Sequence, residues 1–133
     1  MTPIAKPTRK PLKVPTTDKG KARTSLRLPQ TMLQAVHRTM DAEGMSRKRR
    51  SQWIEAATEK LFSLPSAEEL VLEEFLDPGG NDTIPVSLSR ALKQRIDRTV
   101  DDLSRQSGTP VESSALLRTA ISQYLLRARK RSL

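Results

Sequence analysis

The sequence contains no cysteine, which excludes disulfide frameworks, thiolate zinc sites and cysteine nucleophiles together. A single histidine, His37, cannot build a histidine metal cluster and leaves little for acid–base catalysis. Aromatic residues make up 3% and hydrophobic residues 35%, below the roughly 45–50% of an ordinary globular domain. The core is therefore expected to be aliphatic, with part of the chain outside it. No stretch approaches the roughly 18 apolar residues of a membrane span. The N-terminus is basic but broken by prolines and lacks an apolar segment, so no signal peptide is expected. These absences point away from an enzyme, and no cofactor, metal or membrane partner is expected. The default compartment is the cytoplasm.

What the chain does carry is positive charge, unevenly placed. Its 133 residues have a formal net charge of +9. Residues 1–50 hold 13 Lys/Arg against 3 acids, residues 51–126 hold 7 against 12, and residues 127–133 add Arg127, Arg129, Lys130 and Arg131. A chain polarised in this way offers an arm or a face to something negative. Residues 1–21 form a proline-spaced basic arm, with Pro3, Pro7, Pro11 and Pro15 set among six lysines and arginines. Proline at that spacing blocks helix and the apolar content is too low to bury, so disorder is expected. The arm is either a solubilising tail or a segment that lies along phosphates.

The remainder contains an internal repeat. Leu28–Asp41 laid over Leu88–Asp101, a shift of 60 residues, brings Leu, Gln, Arg, Thr and Asp into coincidence. Met32, Val36 and Met40 fall on Leu92, Ile96 and Val100, an i, i+4, i+8 stripe that predicts an amphipathic helix in each copy. Gly44 ends the first helix; the second runs to about Gln106, before Gly108. A further helix follows in each copy at a shift of 63, where Trp53, Ile54, Ala57 and Leu61 match Leu116, Leu117, Ala120 and Tyr124. Ser46 precedes the first of these. Thr109-Pro110-Val111-Glu112 reads as an N-cap, a proline at the first helical position and a capping-box glutamate before the second.

Ahead of each helix pair, residues alternate with period two. Thr24, Leu26 and Leu28 interleave with Arg23, Ser25 and Arg27, while Ile84, Val86 and Leu88 interleave with Thr83, Pro85 and Ser87. Each stretch predicts a strand of about six residues with one buried face. A lone strand cannot satisfy its backbone, so the two must pair. The expected fold is mostly α, with a short two-stranded antiparallel ribbon supplied by two tandem units, 22–62 and 82–127. Residues 63–81 form an acidic connector with a short helix opened at Ser66 and carrying Leu70, Phe75 and Leu76, and 128–133 a basic tail. Pro85, lacking an N–H, is expected to fray the ladder.

The phrase Ser25-Leu-Arg-Leu-Pro29, the turn Gly44-Met-Ser46 and the run Ser114–Leu125, in this order, resemble the ribbon-helix-helix (MetJ/Arc/CopG) superfamily of DNA-binding proteins over residues 22–62 and 82–127. Most of that family are homodimers; this chain departs by holding both halves, an intramolecular pseudo-dimer. The resemblance implies a bacterial cytoplasmic protein and a ribbon that enters the major groove. In its tandem form the chain resembles DNA-processing accessory factors of plasmid conjugation and of T-DNA transfer in virulence systems.

Arginine can bond two guanine acceptors and a hydroxyl can donate or accept. Arg23, Ser25 and Arg27, with Thr83 and Ser87 opposite, are therefore the candidate base-reading residues, against a merely solvated strand face. Because the strands differ, an asymmetric site is expected rather than a palindrome. Arg47, Lys48, Arg49 and Arg50 crowd a helix start, where the macrodipole is already positive and each cation is unfavourable by about 0.3–1 kcal/mol. That arrangement makes sense if phosphate binds there with Ser46, as the family resemblance also implies; the alternatives are a solvated charge run or a nuclear-import-like tetrad. Thr109, Ser113 and Ser114 are the candidate weaker clamp of the second copy.

His37 is expected to be a partly exposed helix residue and Trp53 a core residue. The connector glutamates, expected to face away from DNA, are either structural or a docking surface for a partner protein; a relaxase or another DNA-processing protein is a candidate partner of the chain. A folded monomer that can cluster on DNA is expected. The leading function is non-catalytic duplex DNA binding as an accessory factor in DNA processing or transfer. The alternatives are a plasmid or toxin–antitoxin repressor, although an antitoxin needs an extension and only Lys130–Leu133 follow the fold, or a protein-assembly module.

Overall fold

A computed structural model describes residues 21–74 and 81–132 of the chain. The basic arm, apart from Lys21, and the apolar pair Phe75 and Leu76 lie outside the described residues. Strand β1 (Lys21–Pro29) leads into helix α1 (Gln30–Ala42), a 3-10 turn (Arg47–Arg49) and helix α2 (Arg50–Phe62). A short helix α3 (Ala67–Leu72) follows, then β2 (Asn81–Ser89), α4 (Arg90–Ser107) and α5 (Ser113–Ser132). Both strands and the starts of α1 and α4 repeat at 60 residues, and the starts of α2 and α5 at 63.

β1 and β2 form one antiparallel two-stranded sheet, with Arg23 opposite Ser87, Ser25 opposite Pro85 and Arg27 opposite Thr83. The ribbon thus closes within a single chain. Its strands are nine residues each, longer than the alternation predicts, because the pairing continues to Lys21–Ser89 at one end and Pro29–Asn81 at the other. Leu26, Leu28, Ile84, Val86 and Leu88 are buried on the inner face. They meet Val36 and Met40 of α1, Leu92, Ile96 and Leu103 of α4, and the buried faces of α2 and α5 in one aliphatic core. α2 and α5 pack most extensively against each other of all the helices. Between them Trp53, only 2% exposed, meets Tyr124 edge-to-face at 4.8 Å between ring centroids. The Trp53 indole N–H donates to a Glu43 carboxylate oxygen at 3.1 Å, so burial leaves that donor satisfied.

Gly44 and Gly108 both hold positive φ (75° and 73°) just beyond α1 and α4, where a side chain would be strained. Pro85 does not interrupt the ladder. The Ser87 N–H donates outward to Ser51 Oγ and the Arg27 N–H outward to Ser114 Oγ, so the Arg23–Ser87 and Arg27–Thr83 pairs are of the non-hydrogen-bonded class. Pro85, two residues from Ser87, belongs to the same class, and its missing N–H would have pointed away from β1.

Three boundaries differ from the sequence expectation. α5 begins at Ser113, not just after Thr109: the Val111 N–H is taken by Ser104 Oγ (2.8 Å), and the Glu112 carbonyl accepts from Ala115 N (3.0 Å). No capping box forms, since Ser107 Oγ takes the Thr109 N–H and the Glu112 carboxylate turns to Arg27. α5 also continues to Ser132, so residues 128–132 extend a helix and are not a separate tail. Helix α3 is only six residues long, and Ser66 makes no side-chain cap.

Candidate nucleic-acid interface

The outer face of the ribbon carries Lys21, Arg23, Ser25 and Arg27 from β1, all exposed, with exposed Thr83 and Pro85 and half-buried Ser87 from β2. Period-two alternation puts them together, because every second residue faces away from the aliphatic core. Arg23 and Arg27 are four residues apart on one strand, about 13 Å at roughly 3.3 Å per residue. The cationic side of the ribbon is thus a single strand, and the opposite strand offers neutral hydroxyls and a proline.

The two ends of the ribbon are flanked by helix starts. Ser51 in the first turn of α2 accepts the Ser87 N–H at 2.9 Å, and Ser114 in the first turn of α5 accepts the Arg27 N–H at 3.0 Å. These matching bonds, from residues 63 apart, fasten each second helix to the opposite copy's strand. Sequence reasoning missed Ser51. Its signal was the alignment of Ser51 with Ser114 at the same shift that matches Trp53 with Leu116. Ser114 is buried and its hydroxyl oxygen is occupied by the ribbon; Ser113 is half-buried and Thr109 exposed.

The α2 end gathers the cations. Ser46 Oγ accepts the Lys48 N–H at 3.2 Å and so caps the 3-10 turn rather than α2 itself. Arg47 reaches Asp41 at 3.0 Å, Arg49 Nε donates to Gln52 Oε1 at 2.9 Å, and Lys48 is exposed. Half-buried Arg50 lies 3.2 Å from His37 Nε2, where the guanidinium donates and the ring nitrogen accepts. Burial first, then the Arg47 and Arg50 charges, hold the His37 pKa below its ordinary 6.5, with Asp41 opposing them. The unfolded chain therefore binds this proton more readily than the folded one. The contribution of neutral His37 to stability is present above about pH 6.5 and lost as pH falls through the lowered folded value. Thermal unfolding between pH 7.5 and 5 should accordingly be less pH-sensitive in His37→Gln than in the wild type. Parallel curves would show that the His37–Arg50 contact contributes nothing.

The α5 end is built differently. Arg27 Nη2 sits 3.2 and 3.4 Å from the two Glu112 carboxylate oxygens. Beneath it Arg118, 3% exposed, donates to the Arg27 carbonyl at 2.6 Å and bonds Glu74 through Nε and Nη2 at 2.7 and 3.0 Å. The acidic connector is thereby anchored beside β1 through Glu74. The sequence signal for this anchor was a lone charge inside the apolar run Leu116–Ile121.

Together these define a small helical protein with a two-stranded ribbon whose exposed face and one flanking helix start are cationic. No protein-family model matches the chain, and no curated protein or solved structure matches it. Among the described residues no helix is long and apolar enough to cross a membrane.

Proposed function

We propose that this chain is a tandem ribbon-helix-helix protein that binds duplex DNA without catalysis, laying the β1–β2 ribbon in the major groove. β1–α1–α2 and β2–α4–α5 are the two units, and their single-chain pairing makes the intramolecular pseudo-dimer. The observation that carries this reading is the ribbon face itself. Four exposed side chains from one strand, three of them cationic, stand on a rigid two-stranded element, the kind of element a major groove admits. The cations of Arg47–Arg50 stand beside it because Ser51 fastens α2 to β2. Arg23, Ser25 and Arg27 read base edges, with Thr83 and Ser87 contributing single neutral hydrogen bonds. Ser46 and Arg47–Arg50 hold phosphate. The chemical difference between the strands favours an asymmetric site. An accessory role in DNA processing or transfer, beside a relaxase-type partner, follows from the resemblance to tandem members of the family.

Phosphates carry no sequence information, so the α2 cluster positions the protein and does not read. Replacing Arg47 and Arg49 together with glutamine should weaken binding to every duplex by a similar factor. The plot of log affinity against log salt should become shallower by about 0.9 for each phosphate no longer neutralised. The free protein should keep its stability or gain slightly, since two cations leave the positive end of a helix. If the double variant unfolds more easily while affinity and salt slope stay unchanged, the cluster is structural.

A further inference from the structure

The two helix starts are fastened to the ribbon by equivalent bonds, yet they carry opposite charge. Beside Ser51 stand Arg47, Lys48, Arg49 and Arg50; beside Ser114 stand Pro110, which has no N–H to offer an anion, and Glu112. The Glu112 side chain is 60% exposed, and its carboxylate occupies Arg27. Glu74 lies in the same cleft, lined also by Thr109, Pro110 and Arg118. We propose that Glu112 turns phosphate away from the start of α5, so that the duplex is gripped at the α2 end of the ribbon alone. This inference rests on the DNA-binding reading above.

The two helix starts match in geometry and differ in charge. In a symmetric protein of this shape, both helix starts would approach the backbones flanking the groove and both would donate N–H groups to phosphate. Here a phosphate at the second start would meet the Glu112 carboxylate, turned to the ribbon edge, in a cleft whose other carboxylate, Glu74, is held by Arg118. Glu112 also competes for the Arg27 fork, which must exchange a carboxylate for base acceptors on docking. An exposed pair of this kind is weak enough to exchange, so it sets a preference without locking the residue.

Glu112→Gln keeps the side-chain shape and leaves the Glu112 carbonyl, which accepts from Ala115 N, in place. Wild type and variant would be titrated with a fluorescent 30-base-pair duplex over a range of salt. As a control for net charge, Glu59→Gln removes an exposed carboxylate in α2, nine residues beyond Arg50. The inference expects Glu112→Gln to tighten binding roughly three- to tenfold near 0.1 M salt and to steepen the salt plot by about 0.9 for each phosphate newly held. Glu59→Gln should change little. An unchanged or weakened Glu112→Gln, or an equal gain from Glu59→Gln, overturns the inference while wild-type binding upholds the DNA reading. A wild-type protein that binds no duplex overturns the DNA reading, and this inference with it.

Discussion

Arg118→Ala is expected to destabilise the folded chain by about 3–5 kcal/mol, the cost of breaking a buried, hydrogen-bonded ion pair from one side. The guanidinium is 3% exposed and the Glu74 side chain 13%, so removing the cation leaves a carboxylate with little access to water. It also removes the donor to the Arg27 carbonyl, an outward-pointing acceptor on the ribbon edge. Arg118→Lys should recover only part, since one ammonium cannot supply the planar fork that meets both Glu74 oxygens and the carbonyl together. The double variant Arg118→Met with Glu74→Gln should be more stable than Arg118→Ala, because no unpaired charge remains. Urea unfolding monitored through Trp53 measures all three. A loss below 1 kcal/mol for Arg118→Ala would show that Glu74 is solvated and that the connector is not anchored to β1.

Much of this architecture is legible in the chain. The period-two stretches, the i, i+4, i+8 stripes and the glycines after α1 and α4 are local signals, and each depends only on which face is buried. The repeat then dictates the ribbon, since a lone strand cannot satisfy its backbone and the other copy supplies a matching one. What is not legible depends on contacts between distant residues. Thr109-Pro110-Val111-Glu112 has the composition of a capping box, but Ser107 and Arg27 take the groups that the box would have used. Pro85 has the look of a defect in sequence because its hydrogen-bonding class depends on register, which only the pairing reveals. The candidate base-reading residues Arg23, Ser25 and Arg27 do share one exposed face. Of the candidate clamp in the second copy, Ser114 is committed to the ribbon. The charge there is set by Glu112, whose local sequence signal is that of a cap.

Arg23→Ala and Arg27→Ala are each expected to cost about 1–3 kcal/mol of discrimination between the preferred duplex and a scrambled one, the range for removing a bidentate base contact. Arg23 is an exposed side chain opposite Ser87, at the cationic end of the ribbon. Thr83→Ala and Ser87→Ala should cost less, because a hydroxyl offers a single neutral hydrogen bond. Ser87→Ala also keeps the backbone N–H that fastens Ser51. Stability should change little in all four, Arg27→Ala giving up only an exposed pair with Glu112, so a change in binding will report the interface.

The central claim, that the outer face of the ribbon reads duplex DNA, is tested most directly by one ratio: affinity for a duplex selected from a randomised pool over affinity for its scrambled counterpart. It should be measured for wild type, Arg23→Ala and the Arg47→Gln, Arg49→Gln double variant at one salt concentration. The account predicts a ratio that collapses in Arg23→Ala and persists in the double variant despite its weaker binding. A ratio unchanged by Arg23→Ala, or a pool from which no preferred duplex emerges, would contradict it.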